Sequence, residues 1–432
     1  MQNKMKELFE LFYKTSGVCT DTRKIEKDCL FICLKGANFN GNSFAEQALK
    51  DGAKFVIVDE KEFQTDERIF LVENTLLYLQ KLANHHRLQF TIPVIGITGS
   101  NGKTSSKELI NAVLSSHYSV LATIGNLNNH IGVPLTLLRL THEHEIAIIE
   151  MGANKFKDIE ELCDIAEPTH GIITNIGKAH LEGFLNFEGV LKTKRELYDS
   201  VSKNKGTIVF NNDDDVLKFN LPKGIDTISY GTSSDSFIKG ELVNLSPFVE
   251  LKWSKTNYQS DLISTQMIGK YNFYNYLAAI SFGTCFNVPF EKINSAIANY
   301  SPENNRSQVK KTERNTLILD CYNANPTSMK SALESFALIN HPDKYFIIGD
   351  MLELGEESMK EHQAISDLVK ELNLHGSAVG PLFGALPEHS FDIHFATKVE
   401  AIAYFESTTI SDKLILLKGS RGIGLESLEK SL

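Results

Sequence analysis

The sequence predicts an α/β protein of three domains, and three observations carry that prediction. Short β-rich runs alternate with helical patterns through the middle and end of the chain, as parallel sheets require. A glycine-rich turn, Gly99-Ser100-Asn101-Gly102-Lys103-Thr104, links one such run, TIPVIGIT, to a helical pattern. The length of 432 residues is that of about three domains. We expect a small α/β domain over 1–90, a central P-loop-type parallel-sheet domain over 91–300 and a C-terminal Rossmann-like domain over 301–432.

In the first block, CLFICL and KFVIVD read as strands, 43–51 as a helix and LLYLQKLANHHRLQF as an amphipathic helix. The second block opens on TIPVIGIT. EIAIIE, GIITNI and GTIVFNN follow as strands, with helical patterns such as 105–115 and 187–200 between them. From TISYG to FVELKW a weak period of two reads as antiparallel sheet, and the helix NFYNYLAAISFGTCF closes the block. The third block alternates again through NTLILD, 328–338, KYFIIGD, 357–372, GSAVG and KLILLKGS. Its strands end in Asp320, Asp350 and Gly419-Ser420, at the edge where open α/β sheets put ligands.

Composition narrows the class. Apolar residues make up 42% and charged residues 23%, as in ordinary globular proteins. No apolar run approaches the ~20 residues that span a bilayer, so no membrane insertion is expected. The N-terminus MQNKMKELFELFYK mixes charges with apolar residues and lacks a signal-peptide core. Cys19, Cys29, Cys33, Cys163, Cys285 and Cys321 are scattered, and no C-x-x-C occurs. A reducing, cytoplasmic setting is expected, without a disulfide or zinc framework. The net charge of −10 argues against nucleic-acid binding and leaves anionic small molecules open. A monomer is expected.

The glycine-rich turn departs from the usual phosphate loop. G-x-x-x-x-G-K-[ST] would need a glycine at position 97, which is Ile97. The mechanism nevertheless holds. Glycines let successive N–H groups face one anion, and the helix N-terminus adds partial positive charge. Lys103 can reach outer phosphates, and the Thr104 hydroxyl can bind Mg²⁺. Glu150 ends the run EIAIIE, and His180 follows GIITNI. Both fall on the same sheet edge as the loop, where a carboxylate, an imidazole and a hydroxyl suit a divalent cation. Read singly, a strand-end Glu is a solvated carboxylate and a lone His a satisfied polar residue.

The turn G-x-x-G-K-T after a strand resembles that of the Mur ligase family, the ATP-dependent amide ligases of peptidoglycan precursor synthesis. Other segments extend the resemblance: Asn175-Ile176-Gly177-Lys178-Ala179-His180-Leu181-Glu182-Gly183-Phe184, Gly269-Lys270-Tyr271-Asn272-Phe273-Tyr274-Asn275 and the junction around Arg306. Asp320-Cys321-Tyr322-Asn323-Ala324-Asn325-Pro326-Thr327-Ser328-Met329, Gly349–Gly355 and Lys418-Gly419-Ser420-Arg421 resemble the branch that adds a dipeptide.

The resemblance implies the roles. ATP would lie on Gly99, Ser100, Asn101, Gly102, Lys103, Thr104 and Ser105, with Asn272 and Asn275 toward adenine and Arg306 near the phosphates. Two Mg²⁺ ions would use Thr104, Glu150, His180 and a carbamylated Lys194, with Lys192 the fallback. Thr20-Asp21-Thr22-Arg23 and Lys35-Gly36 would form a uridine-nucleotide pocket in the first domain. Asn128 and Asn129 would meet the muramoyl peptide. Tyr322, Asn323 and Asn325 would meet the incoming amine, and Asp320 would position it. The implied catalytic set is Lys103, His180, Lys194 and Asp320. The implied substrates are UDP-N-acetylmuramoyl-tripeptide, D-alanyl-D-alanine and ATP. The alternatives are the third-amino-acid-adding member of the family and, outside it, a P-loop kinase or switch ATPase.

Overall fold

The computed structural model describes residues 2–177, 181–184 and 186–432. The chain builds three main sheets in sequence order. The first is parallel, with β1 (Val18–Cys19), β2 (Leu30–Ile32), β3 (Phe55–Val58) and β4 (Ile69–Leu71) lying side by side. The helix expected at 43–51 is a 3-10 turn, Gly41–Phe44, that runs into a short α-helix, Ala45–Lys50. Helix α1 (Thr75–Arg87) begins where the Asn74 side chain accepts from the Leu77 amide at 2.7 Å, a standard N-cap. It buries Tyr78, Leu79, Leu82 and Ala83, one stripe of a 3.6-residue period. Its last turn crosses to the second sheet: His86 Nε2 lies 3.0 Å from the Leu140 carbonyl, and Arg87 Nε donates to the Ala166 carbonyl at 3.0 Å. The apolar cluster under the first sheet continues unbroken into that of the second.

The central sheet contains β5 (Val94–Thr98), β6 (Val120–Ala122), β7 (Ile146–Glu150), β8 (His170–Ile173), β9 (Thr207–Asn211), β10 (Asp226–Gly231), β11 (Ile238–Asn244) and β12 (Glu250–Lys255). Their lateral order is β12-β11-β10-β9-β8-β5-β7-β6. β5 is buried along its whole length and pairs in parallel with β7 and β8. The chain leaves β5 on one side to make β6 and β7, then returns on the other for β8. The carboxyl ends of β5, β7 and β8 therefore meet at a topological switch point, where such sheets bind ligands. Helices α2 (Lys103–Ser115), α3 (Gly132–Leu137), α4 (Asp158–Ala166) and α5 (Phe187–Lys203) cover the sheet with α6 (Lys270–Cys285). α6 is buried on nearly every face and packs on α2.

One expectation needs correcting. The TISYG stretch lies in β10, which pairs in parallel with β9 over five residues, and β10 joins β11 through a two-residue parallel pairing. Only from β11 onward is the sheet antiparallel. Alternation along a strand reports which face is wet; it carries no information on the direction of the neighbour.

The third sheet holds β13 (Gln308–Lys311), β14 (Thr316–Leu319), β15 (Lys344–Gly349), β16 (Gly376–Val379), β17 (Ile393–Phe395) and β18 (Leu414–Lys418). The order is β13-β14-β18-β15-β16-β17, parallel except for β13 against β14. Helices α7 (Pro326–Leu338) and α8 (Ser358–Glu371) pack on it. β13 is an edge strand with no fully buried residue, so its sequence lacks the apolar run that marked the others. Among the described residues no helix is long and apolar enough to cross a membrane.

Three histidines are held neutral inside this framework. Burial lowers the pKa of His170 to about 4 and also lowers those of His86 and His362. Each folded value lies below the unfolded one, so the unfolded chain binds more protons as pH falls. Stability is full above about pH 6.5 and is lost between there and about pH 4, by roughly 1–3 kcal/mol for His170. Urea midpoints at pH 7.5 and 5 should show the loss, and His170→Gln should flatten the profile. A profile unchanged by that substitution would contradict the assignment.

Candidate active site

The phosphate-loop turn is built by close backbone approach. Gly99 and Gly102 have φ of +145° and +77°, which residues with a Cβ rarely adopt. A Cβ on Gly99 would lie 2.0 Å from Thr174 Oγ1. Ile97, where the longer motif would need glycine, is instead fully buried in β5. The loop is therefore only the residues between β5 and α2. The segment after β8 braces it: Ser100 N donates to the Asn175 carbonyl at 3.0 Å, and Asn101 N donates to Asn175 Oδ1 at 3.0 Å. α2 starts at Lys103, so the amides of its first turn, including those of Thr104 and Ser105, have no acceptor within the helix. Lys103 Nζ donates to the carbonyls of Gly99 at 2.7 Å and Ser100 at 3.4 Å. Desolvation lowers its pKa to about 8; the Glu150 charge opposes that shift and Arg306 adds to it.

Glu150 is 1% exposed at the end of β7. Its Oε1 accepts from Thr104 Oγ1 at 3.2 Å and Asn128 Nδ2 at 2.8 Å, while Oε2 is buried without a partner. A buried carboxylate oxygen left unpaired is costly unless a cation or water completes it. Together with the Thr104 hydroxyl it makes a hard-oxygen pair of the kind Mg²⁺ takes. The donor chemistry therefore fits that ion. Among the described residues no group of three or more His, Cys, Asp or Glu converges on a metal position. His180 lies outside the described residues.

Lys194 sits on the buried face of α5 and is 2% exposed. Its pKa is lowered well below the ordinary lysine value, first by burial and then by the Lys103 charge. Lys192 and Arg195 point outward, and Arg195 pairs with Asp199 at 3.6 Å.

The third sheet faces the loop across a cleft of about 940 Å³ lined by residues of all three sheet regions. Asn325 caps α7, accepting from Ser328 N at 2.9 Å, and its Nδ2 donates to Asn101 Oδ1 at 2.7 Å. One side chain thus starts a helix and touches the phosphate loop. Arg306 stacks on the Tyr322 ring, 3.8 Å from its centroid, and Arg306 Nε is buried without a partner. Asn323 lines the same cleft. Asp320 is already engaged: Oδ1 accepts from Ser307 N at 3.1 Å, and Oδ2 accepts from the buried Lys418 Nζ at 2.7 Å. It joins the junction between central and third sheets to the end of β18.

Other expected site residues are spread more widely. Asn128 and Asn129 line the cleft. Asn272 and Asn275 lie behind the loop and do not line it. Asn272 Nδ2 donates to the Ile268 carbonyl at 2.6 Å and Ser307 Oγ at 3.1 Å. Asn275 bonds Asn272 Oδ1 at 2.8 Å and Ser106 Oγ at 3.0 Å. Asp21, Thr22, Arg23, Lys35 and Gly36 are in the first region, away from the cleft. Arg23 forks onto Asp21 at 2.9 and 2.8 Å, which holds the Asp21 carboxyl at a pKa of about 2. Lys35 Nζ pairs with Asp59 at 3.1 Å.

Three family models match: the Mur ligase family catalytic domain over 14–87, the Mur ligase middle domain over 97–283 and the Mur ligase glutamate ligase domain over 305–421. The UDP-N-acetylmuramoyl-tripeptide–D-alanyl-D-alanine ligase of Bacillus subtilis is 34% identical over 429 residues, covering 96% of this chain and 93% of that one. The chain belongs to the Mur ligase family. The Escherichia coli protein of the same description is 32% identical over 425 residues, covering 96% and 93%. A crystal structure of MurF from Acinetobacter baumannii superposes with a TM-score of 0.87 at 28% identity, covering 99% of this chain and 98% of that one. The MurF ligase of Thermotoga maritima in complex with ADP shares the fold, with a TM-score of 0.87 at 24% identity and coverage of 98% and 97%.

Sequence reasoning passed over several residues of this Mur ligase cleft. Leu76, Leu77 and Gln80 line it from α1, and Lys155, Asp158 and Glu161 line it from the start of α4. Leu77 is 42% exposed, and an apolar residue at the open N-terminal end of an otherwise amphipathic helix was the available signal. Lys418 was legible as part of the segment Lys418-Gly419-Ser420-Arg421, but its pairing with Asp320, 98 residues away, left no signal.

Asn325 invites a separation of roles. Asn325→Asp keeps an oxygen for the helix cap but sets an acceptor against Asn101 Oδ1. Stability should stay within about 0.5 kcal/mol, whereas Asn325→Ala should cost about 1 kcal/mol through the lost cap. Both should lower turnover by about ten-fold through the lost loop contact. Denaturation and steady-state kinetics on the two variants check this, and full turnover in the aspartate variant would contradict it.

Proposed function

We propose that the chain is an ATP-dependent ligase that adds D-alanyl-D-alanine to UDP-N-acetylmuramoyl-tripeptide in cytoplasmic peptidoglycan precursor synthesis. The observation that carries this reading is the full-length likeness to curated ligases of that description. The three-sided cleft at the phosphate loop supports it: three substrates, ATP, a nucleotide-linked peptide and a dipeptide, need three walls.

A carboxylate is a poor acyl donor at neutral pH. In the proposed reaction its oxygen attacks the γ-phosphorus of ATP, and ADP leaves. The dipeptide amine then attacks the acyl carbon, loses a proton, and phosphate departs. Lys103 and the first-turn amides of α2 hold the phosphoryl oxygens and stabilise the charge that gathers on them. Arg306, kept in orientation by Tyr322, adds a second cation from the third domain. Thr104, Glu150, His180 and carbamylated Lys194 would hold Mg²⁺, two ions being expected. When bound, Mg²⁺ neutralises phosphate charge. Asn272 and Asn275 are assigned to the adenine end, where an amide can exchange one of its partners for the ring edge. Asp21, Thr22, Arg23, Lys35 and Gly36 are assigned to the uridine nucleotide, Asn128 and Asn129 to the peptide carboxylate end, and Asn323 and Asn325 to the dipeptide. Asp320 acts with Lys418 to set the third domain against the loop. Closure of that domain would keep water from the acyl phosphate.

The test is phosphate release with UDP-muramoyl-tripeptides ending in lysine or diaminopimelate, each offered D-alanyl-D-alanine or a single amino acid. Release that requires the dipeptide is expected. Equal release with a single amino acid, or release with no nucleotide-linked peptide, would overturn the reading.

A further inference from the structure

Lys107 is a charged residue with no part in the chemistry above, yet it is 0% exposed. It lies on α2 one turn beyond Lys103 and three residues from Thr104, so it shares a flank with Thr104. Its Nζ donates to the Thr123 carbonyl at 2.7 Å, reaches the Gly125 carbonyl at 3.5 Å and pairs with Glu108 at 2.7 Å. A buried ammonium is retained only where its donors are satisfied, and here backbone carbonyls of one loop satisfy two of them.

That loop leads from β6 to α3 and carries Asn128 and Asn129. Thr123 Oγ1 also accepts from the Glu150 amide at 3.0 Å. Further along, Asn128 Nδ2 donates to Glu150 Oε1 at 2.8 Å, and the Asn128 carbonyl accepts from Gly152 N at 2.7 Å. The contacts close a ring: Lys107 to Thr123, Thr123 to Glu150, Glu150 to Thr104, and Thr104 back to Lys107 through one turn of α2. One helix therefore presents phosphate-binding groups from its first turn and grips the neighbouring loop from its second.

We propose that Lys107 is a positioning residue that fixes the 123–131 loop, and with it the acyl substrate, at a set distance from the phosphate loop. The inference rests on the ligase reading for the identity of that substrate. Joining a carboxylate oxygen to a γ-phosphorus requires both partners within a few tenths of an ångström of attack geometry. Lys107 supplies that alignment without touching either.

The experiment compares Lys107→Met, which keeps the stem and removes the charge, with Gly125→Ala in the full chain. Gly125 has φ +55°, and a Cβ there meets nothing within 4 Å. The alanine strains the turn that Lys107 holds while leaving the core intact. The KM for UDP-muramoyl-tripeptide should rise about ten-fold or more in Lys107→Met and several-fold in Gly125→Ala, with the Kd for ADP within about two-fold of wild type. Amide exchange should quicken across 123–131 and stay unchanged in 94–98. A KM within about two-fold of wild type in both variants, whatever the melting temperature, overturns the proposal. ADP affinity that falls as far as acyl-substrate affinity overturns it too. If Lys107→Met does not fold, Gly125→Ala decides. Should wild type process no UDP-muramoyl-tripeptide, the ligase reading falls. Exchange in the loop still decides the tether, and protection equal to wild type in the variants removes it.

Discussion

Lys103→Ala is expected to lower kcat by about 10³-fold or more while leaving the fold and UDP-substrate binding intact. Phosphoryl transfer draws its catalysis from charge placed beforehand around the moving group. Lys103 is the ammonium at the mouth of the glycine turn, and its present partners are carbonyls of that same turn. Exchanging carbonyls for phosphate oxygens replaces neutral acceptors with anions, so ATP binding raises a pKa that stands at about 8 in the free protein. Near pH 8 binding should therefore take up a fraction of a proton, which calorimetry in buffers of different ionisation heat detects. The alanine variant should lose that uptake along with turnover. Its folding should hardly change, because the side chain is only half-buried and packs on its own loop. Turnover near wild type in the variant, or binding of UDP substrate weakened as much as ATP, would remove the phosphate-loop assignment.

The second large effect is expected at Lys194. Carbamate formation joins the neutral amine to CO₂, forms an N–C bond and releases a proton. It needs lysine without its proton at neutral pH. Burial and the Lys103 charge both favour that form, and the product carries a negative charge where the amine had none. An anion beside Lys103 removes the repulsion that the cation would meet. Lys194→Ala should lose about 10²-fold in turnover, with partial recovery in acetate. Wild type should slow in CO₂-depleted buffer and recover with bicarbonate. Lys192→Ala should change little, because that side chain is in water. Full activity of Lys194→Ala in both buffers would sink the carbamate, and a loss confined to Lys192→Ala would move it to the other lysine.

The two lysines also mark where sequence reasoning stops. Two residues apart on a helix, they occupy different faces, and the local pattern leaves both open. The packing of α5 on β8 decides between them by burying one. Asp320 tells the same story. A lone carboxylate at a strand end reads as a group for the incoming amine, yet in the fold it is bonded to Ser307 and Lys418. Asn272 and Asn275, three apart on α6, were legible as a pair of amides on one face. That they bond each other, Ser106 and Ser307 depends on contacts across more than a hundred residues for Ser106 and across the junction for Ser307.

What the sequence determined by itself is local and periodic. Buried parallel strands show as short apolar runs, helices as 3.6-residue stripes, and the phosphate loop as glycines that free the backbone ahead of a helix. These signals come from neighbours in the chain, so they survive without a fold. The tertiary structure alone decided the strand order that puts β5 between β7 and β8, the parallel direction of β10, the burial of Lys194, the bracing of the phosphate loop by Asn175 and Asn325, and the hold of Lys107 on the 123–131 loop. Each of those depends on desolvation or a hydrogen bond between residues distant in sequence, and neither exists until the sheets have packed.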